Sequence, residues 1–137
     1  KIIHYIWFGS KPYSKKINKC IESWHKYMPD YDFKLWNEES FDIENSCKFV
    51  KEAYAQKKYA FVSDYVRVYA LYNYGGIYLD TDVEVLKSYN SLLELDMFLG
   101  YDHTSEAYAL IVEPSAAVPL YFITYSHNCW VTSYFPI

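Results

Sequence analysis

Cysteine is scarce in this sequence, and its three copies, Cys20, Cys47 and Cys129, stand far apart with no C-x-x-C pair among them. An odd, dispersed set argues against a disulfide framework or a clustered zinc site and leaves reduced thiols of a cytosolic protein as the expectation. A basic surplus is also missing. The chain carries 13 Lys and Arg against 17 Asp and Glu, for a net charge of −4. With those cations scattered, no stripe can neutralise a phosphate backbone, and no nucleic-acid partner is expected. No apolar run approaches the roughly 20 residues that a membrane span needs, and no signal-peptide pattern opens the chain. The chain starts at Lys1 rather than Met. The expectation is a soluble, cytoplasmic protein, and a start at Lys1 is also compatible with a fragment or trimmed form of something longer.

The material that is present suits one core. Of 137 residues, 52 % are hydrophobic, enough for a single domain over 1–137. The 17 tyrosines are the one compositional bias; they read as core and surface aromatics, with sugar stacking as the alternative.

In chain order, "KIIHYIWFG" reads as a buried strand closed by Gly9. Between residues 14 and 28, Ile17, Cys20, Ile21, Trp24 and Met28 recur at helical spacing and stop before Pro29. "YDFKLWN" alternates as a second strand. Strand, helix, strand in this span is the βαβ unit of a mainly parallel sheet. From Ser46 to Tyr74 the pattern is helical, with a break near Lys58, and the second helix is apolar over most of its girth and expected to be largely buried. Gly75 and Gly76 end it. "IYLD" then reads as a short strand that "VEVL" continues. His4, in the first strand, falls to a core role by alternation.

The chemistry gathers at "GGIYLDTDVEV". In an extended segment residues i and i+2 share a side, so Asp80 and Asp82 would present two carboxylates ~7 Å apart on one face. Two hard oxygen ligands with an open side suit Mg²⁺ or Mn²⁺, which binds one or two carboxylates together with water and substrate phosphates. The carboxyl end of a strand in an open α/β sheet is also where ligands bind. The competing reading is a solvated acidic turn. On the preceding helix, Asp64 and Arg67 are three residues apart and so project from one face. Either they form a surface ion pair, worth little, or Arg67 grips phosphate or sugar hydroxyls while Asp64 accepts from a ribose or hexose hydroxyl.

"YAFVSDYVRVYALYNYGGIYLDTDVEVL", with "IIHYIWFG" and "CIESWHKYMPDYDFKLWNEESFD", resembles the glycosyltransferases with a D-x-D sugar-binding region. These are the bacterial capsular polysaccharide synthesis enzymes and the yeast-type initiating α-1,6-mannosyltransferases, whose core is shared by the glucosylating domain of large clostridial toxins. The likeness runs from Lys1 to Asp102, three separated motifs in order. It implies an α/β fold of GT-A type, a mainly parallel open sheet flanked by helices, with a donor-binding core over 1–102. It also implies a retaining hexosyltransferase that uses Mn²⁺ or Mg²⁺ to move a sugar from a UDP- or GDP-sugar donor to a saccharide or glycolipid acceptor in capsular or other surface polysaccharide synthesis. Carried over by residue, Ile6 and Trp7 would hold the nucleotide base, Trp7 by stacking. Ser63, Asp64 and Arg67 would contact ribose, sugar and phosphate, and Tyr78 the diphosphate. Asp80 would contact ribose or sugar and a metal-bound water, and Asp82 would ligate the metal. The resemblance makes Asp64, Arg67, Asp80 and Asp82 the catalytic set and offers no nucleophile.

Three rivals remain. A D-x-D phosphatase would make Asp80 nucleophile and Asp82 acid, but too little chain follows. A calcium loop fails because Val85 stands where the turn needs Gly, and Ser91 where it needs the bidentate Glu. An incomplete or degenerate, non-catalytic nucleotide-sugar-binding copy has some support. Residues 103–137 stay unassigned, with Glu113 and His127 the nearest candidates for a missing metal ligand, and a fold truncated at its C-terminus fits that gap.

Overall fold

The computed structural model of the chain describes residues 1–95, 98, 111–112, 124–126 and 129–131. Strand β1 (Ile2–Ile6) leads into helix α1 (Lys15–Tyr27) and strand β2 (Asp32–Trp36). Helices α2 (Lys48–Ala55) and α3 (Tyr59–Tyr74) follow, then strand β3 (Gly76–Tyr78). Beyond a short 3₁₀ turn at Asn90–Leu92 come β4 (Ile111–Val112), β5 (Thr124–Ser126) and β6 (Cys129–Val131). Glu113 and His127 lie outside the described residues.

Periodicity explains the first three elements. Ser14 caps α1, its side chain accepting from the Ile17 N–H, and the helix buries Cys20, Ser23 and Trp24. The break near Lys58 is real: Lys57 takes a positive φ, and Lys58 is the residue before α3. The expected burial of α3 is narrower than its composition predicts. Val62, Val66, Ala70 and Leu71 form one buried stripe, while Phe61, Tyr69, Tyr72 and Tyr74 are exposed. The apolar girth is largely aromatic, and tyrosine keeps a polar tip that tolerates water.

β1 is the centre of the sheet, in the order β2-β1-β3-β4. It pairs in parallel with β2, Ile6 opposite Trp36, and in parallel with β3, His4 opposite Tyr78, while β4 is antiparallel to β3. The connection after β1 runs through α1 to β2 on one side, and the chain then returns through α2 and α3 to β3 on the other side of β1. The crevice at the carboxyl edge between β1 and β3 is therefore a topological switch point, where open α/β sheets bind ligands.

Strand alternation sorts side chains into two cores. Ile3, Ile77 and Leu79 pack with Trp24 and Met28 of the α1 side. Ile6 and Tyr78 pack with Val50, Val62, Val66 and Leu71 of the α2 and α3 side. His4 is fully buried and takes two hydrogen bonds. Trp36 Nε1 can only donate, so its 3.0 Å bond to His4 Nδ1 makes that nitrogen the acceptor and puts the proton on Nε2, which donates to the Gly75 carbonyl at 2.9 Å. Burial lowers the His4 pKa, as does nearby Lys34, against the opposing pull of the Gly75 carbonyl. Gly76, with φ +88°, opens β3 where a Cβ would meet the Ile2 carbonyl oxygen at 2.6 Å. Only glycine fits this close approach.

Candidate functional site

The two aspartates do not lie on a strand. β3 ends at Tyr78, and Asp80 to Val83 form a turn closed by a hydrogen bond from the Val83 N–H to the Asp80 carbonyl at 3.1 Å. Nor does "VEVL" continue the strand. Trp24 Nε1 donates to the Val83 carbonyl at 2.7 Å and the Val85 N–H donates to Ser23 Oγ at 2.8 Å, so α1 captures the backbone that a ladder would have used. On the other side the Leu79 N–H donates to the His4 carbonyl at 3.0 Å. The turn is thus pinned at both ends, to β1 before it and to α1 after it. The extended-chain reason for placing the two carboxylates on one face gives way to a turn that separates them.

Asp80 falls on the α3 side, with the parity of Tyr78. The Tyr78 hydroxyl donates to Asp80 Oδ1 at 2.7 Å. Arg67 Nη2 stands 3.0 Å from Asp64 Oδ1 and 3.7 Å from Asp80 Oδ1, with its guanidinium 4.8 Å from the centre of the Tyr78 ring. Asp64 and Arg67 are therefore not a surface pair alone: they join Tyr78 and Asp80 in one network, and 22 % of the Arg67 side chain is exposed. Burial raises the Asp64 carboxyl, opposed by Arg67 and assisted by Asp80. Burial works against the charge of Arg67, but Tyr78, Asp80 and Asp64 outweigh it and raise its pKa. Burial pushes the Tyr78 phenol far up, so it stays a hydrogen-bond donor. Arg67 Nε is buried and has no hydrogen-bond partner, the one such side-chain nitrogen or oxygen among the described residues. A buried N–H without an acceptor costs free energy, and an oxyanion of a ligand would relieve it.

Asp82 is different. Its side chain is 63 % exposed and its nearest cation is Lys16 Nζ of α1 at 3.8 Å. One turn along α1, Lys19 pairs with Glu84 at 3.0 Å. Among the described residues no group of three or more His, Cys, Asp or Glu could hold a metal. The donor set is thus Asp82, whose one cationic neighbour is an exposed lysine, while Asp80 Oδ1 already accepts from Tyr78. One or two carboxylates completed by water and phosphate oxygens fit Mg²⁺ or Mn²⁺ and do not fit a closed protein cage.

The remaining expected residues divide. Ile6 puts its side chain in the α3-side core, so only its backbone is available to a ligand. Trp7 is half-buried at the carboxyl edge, its indole Nε1 donating to the Lys11 carbonyl at 2.7 Å and its ring edge-on to Tyr13 at 5.1 Å. Ser63 is half-buried on α3 beside Asp64. Tyr78 is 2 % exposed, its hydroxyl committed to Asp80. Sequence reasoning passed over Lys16, Ser23 and Trp24, whose part in holding the turn is tertiary and leaves no local signal.

The model for glycosyltransferase sugar-binding regions containing a DXD motif matches residues 14–99. The chain belongs to this family. Two curated relatives from Schizosaccharomyces pombe (strain 972 / ATCC 24843) are similar to it. Inositol phosphoceramide mannosyltransferase 3 is 34 % identical over 99 residues, 68 % of this chain and 27 % of that protein. Inositol phosphoceramide mannosyltransferase 1 is 29 % identical over 105 residues, 72 % of this chain and 33 % of that protein. The chain spans about a quarter to a third of these relatives. Among solved structures, the PaToxG glycosyltransferase superposes with a TM-score of 0.52 at 27 % identity, covering 66 % of this chain and 44 % of that one. The fold is the mainly parallel α/β sheet of GT-A type. No helix among the described residues is long and apolar enough to cross a membrane.

Proposed function

We propose that this chain is the donor-binding part of a retaining, metal-dependent glycosyltransferase that takes a sugar from a UDP- or GDP-sugar. The observation that carries the proposal is the Asp64–Arg67–Tyr78–Asp80 network at the β1/β3 switch point, two residues before the exposed Asp82. Of the two carboxylates, the exposed Asp82 would hold Mn²⁺ or Mg²⁺, with Asp80 in the supporting network. When bound, such a cation supplies Lewis-acid stabilisation of the charge that grows on the leaving diphosphate.

The protein's own residues do the rest. Arg67, held in place by two carboxylates and the Tyr78 ring, offers preorganised donors to an anionic oxygen, including its unpartnered Nε. Asp64, whose ionisation burial disfavours, accepts from a sugar or ribose hydroxyl. Asp80 orients Arg67 and is oriented by Tyr78. Trp7 presents an aromatic face to the base, and stacking of this kind is worth roughly 1–3 kcal/mol.

The names of the curated relatives favour mannose as the sugar and an inositol-bearing sphingolipid as the acceptor, which mannosylation makes a glycolipid. A saccharide acceptor in capsular or other surface polysaccharide synthesis is the second setting, and a cytoplasmic or inner-membrane-peripheral location belongs to it. The double substitution Asp80→Asn with Asp82→Asn should abolish manganese-dependent nucleotide binding while the circular dichroism spectrum stays unchanged. Undiminished binding by that variant would remove the metal role.

A further inference from the structure

The loop that carries Trp7 is held by more than its own sequence. The Trp7 N–H continues the sheet by donating to the Trp36 carbonyl at 2.9 Å. Beyond it Gly9 and Ser10 both take positive φ, at 90° and 52°, and this reversal brings the Lys11 carbonyl back to the Trp7 indole. Residue 9 has to be glycine twice over, since its φ is left-handed and a Cβ there would collide with the Tyr59 ring. A short loop so built has few polar anchors of its own.

The anchor comes from the next loop of the carboxyl edge. After β2 the chain turns at Asn37, whose side-chain oxygen accepts from the N–H groups of Glu39 and Ser40, both at 3.1 Å. That turn presents Glu38, half-buried, to the Trp7 loop. Glu38 Oε1 accepts from the Gly9 N–H at 2.7 Å and from the Tyr54 hydroxyl at 3.1 Å. Tyr54 in turn packs against Phe8 and Tyr59, with ring centres 6.3 and 5.7 Å away. One carboxylate oxygen thereby ties together the loop after β1, the loop after β2 and the end of α2. Hydrogen bonds to an ionised acceptor are the stronger kind.

We infer that Glu38 is a positioning residue for the donor, fixing the Trp7–Gly9 loop so that the indole is preset for the nucleotide base. The inference rests on the donor-site reading of Trp7. Glu38 touches no ligand itself; it removes loop freedom that binding would otherwise have to quench. Gln at this position keeps an oxygen acceptor for both donors, whereas Ala keeps none.

The test uses the full 137-residue chain labelled with 5-fluorotryptophan, with the Trp7 resonance assigned from Trp7→Phe. Fluorine spectra are recorded for the wild type, Glu38→Ala and Glu38→Gln, and each is titrated calorimetrically with UDP and with GDP in the presence of Mn²⁺. In Glu38→Ala the Trp7 resonance should shift and broaden while that of Trp24 stays in place. Nucleotide binding should weaken about tenfold, the order of losing one stacked base, and Glu38→Gln should restore both readouts. Wild-type affinity in Glu38→Ala would overturn the inference. So would equal weakening by Ala and Gln with an unmoved Trp7 resonance, since Glu38 would then act on the ligand directly. If the wild type binds neither nucleotide, the donor reading falls, and with it the part of the inference that concerns binding. An unmoved Trp7 resonance in Glu38→Ala would in that case overturn the rest.

Discussion

Asp80 and Asp82 stand two residues apart in one turn and meet different surroundings. Asp80 faces α3, enclosed by Tyr78 and Arg67. Asp82 faces the solvent beyond α1, with one lysine at 3.8 Å. The first is wired into a network with Tyr78, Arg67 and Asp64, and the second is an exposed carboxylate near one lysine. A turn pinned by β1 and α1 allows this, because it lets neighbouring residues point into unlike surroundings. The comparison teaches a division of labour. The α3 side holds Arg67 between two carboxylates and an aromatic ring, whereas the α1 side leaves one carboxylate exposed.

Removing Arg67 should break that contrast most severely. Arg67→Ala leaves Asp64 and Asp80 without their shared cation. A partner lost from a buried pair costs several kcal/mol, so for this partly exposed one the expected loss is about 2 kcal/mol. Urea unfolding should show that loss, and calorimetry should show no nucleotide binding. Stability within experimental error of wild type would mean the network is a surface feature like Lys16–Asp82.

Acid should load the α3 side next. His4 is held neutral by burial, so its folded pKa lies below the ordinary 6.5 and the unfolded chain binds the extra proton first. Its contribution to stability is therefore complete above about pH 6.5 and is lost progressively as the pH falls from there through its folded pKa. Protonation at Nδ1 would also break the bond from Trp36. Unfolding midpoints measured across that range for wild type and His4→Gln should differ in slope, the variant being flatter.

Separate aspartate variants sharpen the comparison. Asp80→Asn should lower the unfolding free energy by about 1 kcal/mol through its bonds to Tyr78 and Arg67. Asp82→Asn should stay within about 0.5 kcal/mol of wild type. Equal costs in urea unfolding would erase the distinction between the two sides. The smallest effect belongs to Lys16→Ala. Removing an exposed ammonium near Asp82 should change stability by a few tenths of a kcal/mol and tighten Mn²⁺ binding by a factor of about two, read by calorimetry.

Much of this was legible in advance because local rules agree with the global fold. Ser14, the spacing from Ile17 to Met28 and Pro29 fix α1, and the alternation of "YDFKLWN" fixes β2. The grouping of Asp64 with Arg67 follows from helical spacing, whereas their meeting with Asp80 was implied only by the family resemblance. The turn at Asp80 to Val83 was not legible. "IYLDTDVEVL" has the pattern of a strand, and only Trp24 and Ser23, some 60 residues earlier, divert its backbone. The same holds for Glu38, whose partners Gly9 and Tyr54 are joined only by the packing of three loops and helices. The exposure of Phe61 and Tyr69 was missed for a simpler reason, since apolar composition does not say how much of a helix its neighbours can cover.

The most direct test of the central claim is calorimetric titration of wild type and Asp82→Asn with UDP and GDP, each in Mn²⁺ and in EDTA. Wild type should bind one nucleotide in Mn²⁺ and lose that binding in EDTA, and Asp82→Asn should behave in Mn²⁺ as wild type does in EDTA. Binding that is indifferent to both chelator and substitution, or no binding by wild type, would contradict the claim.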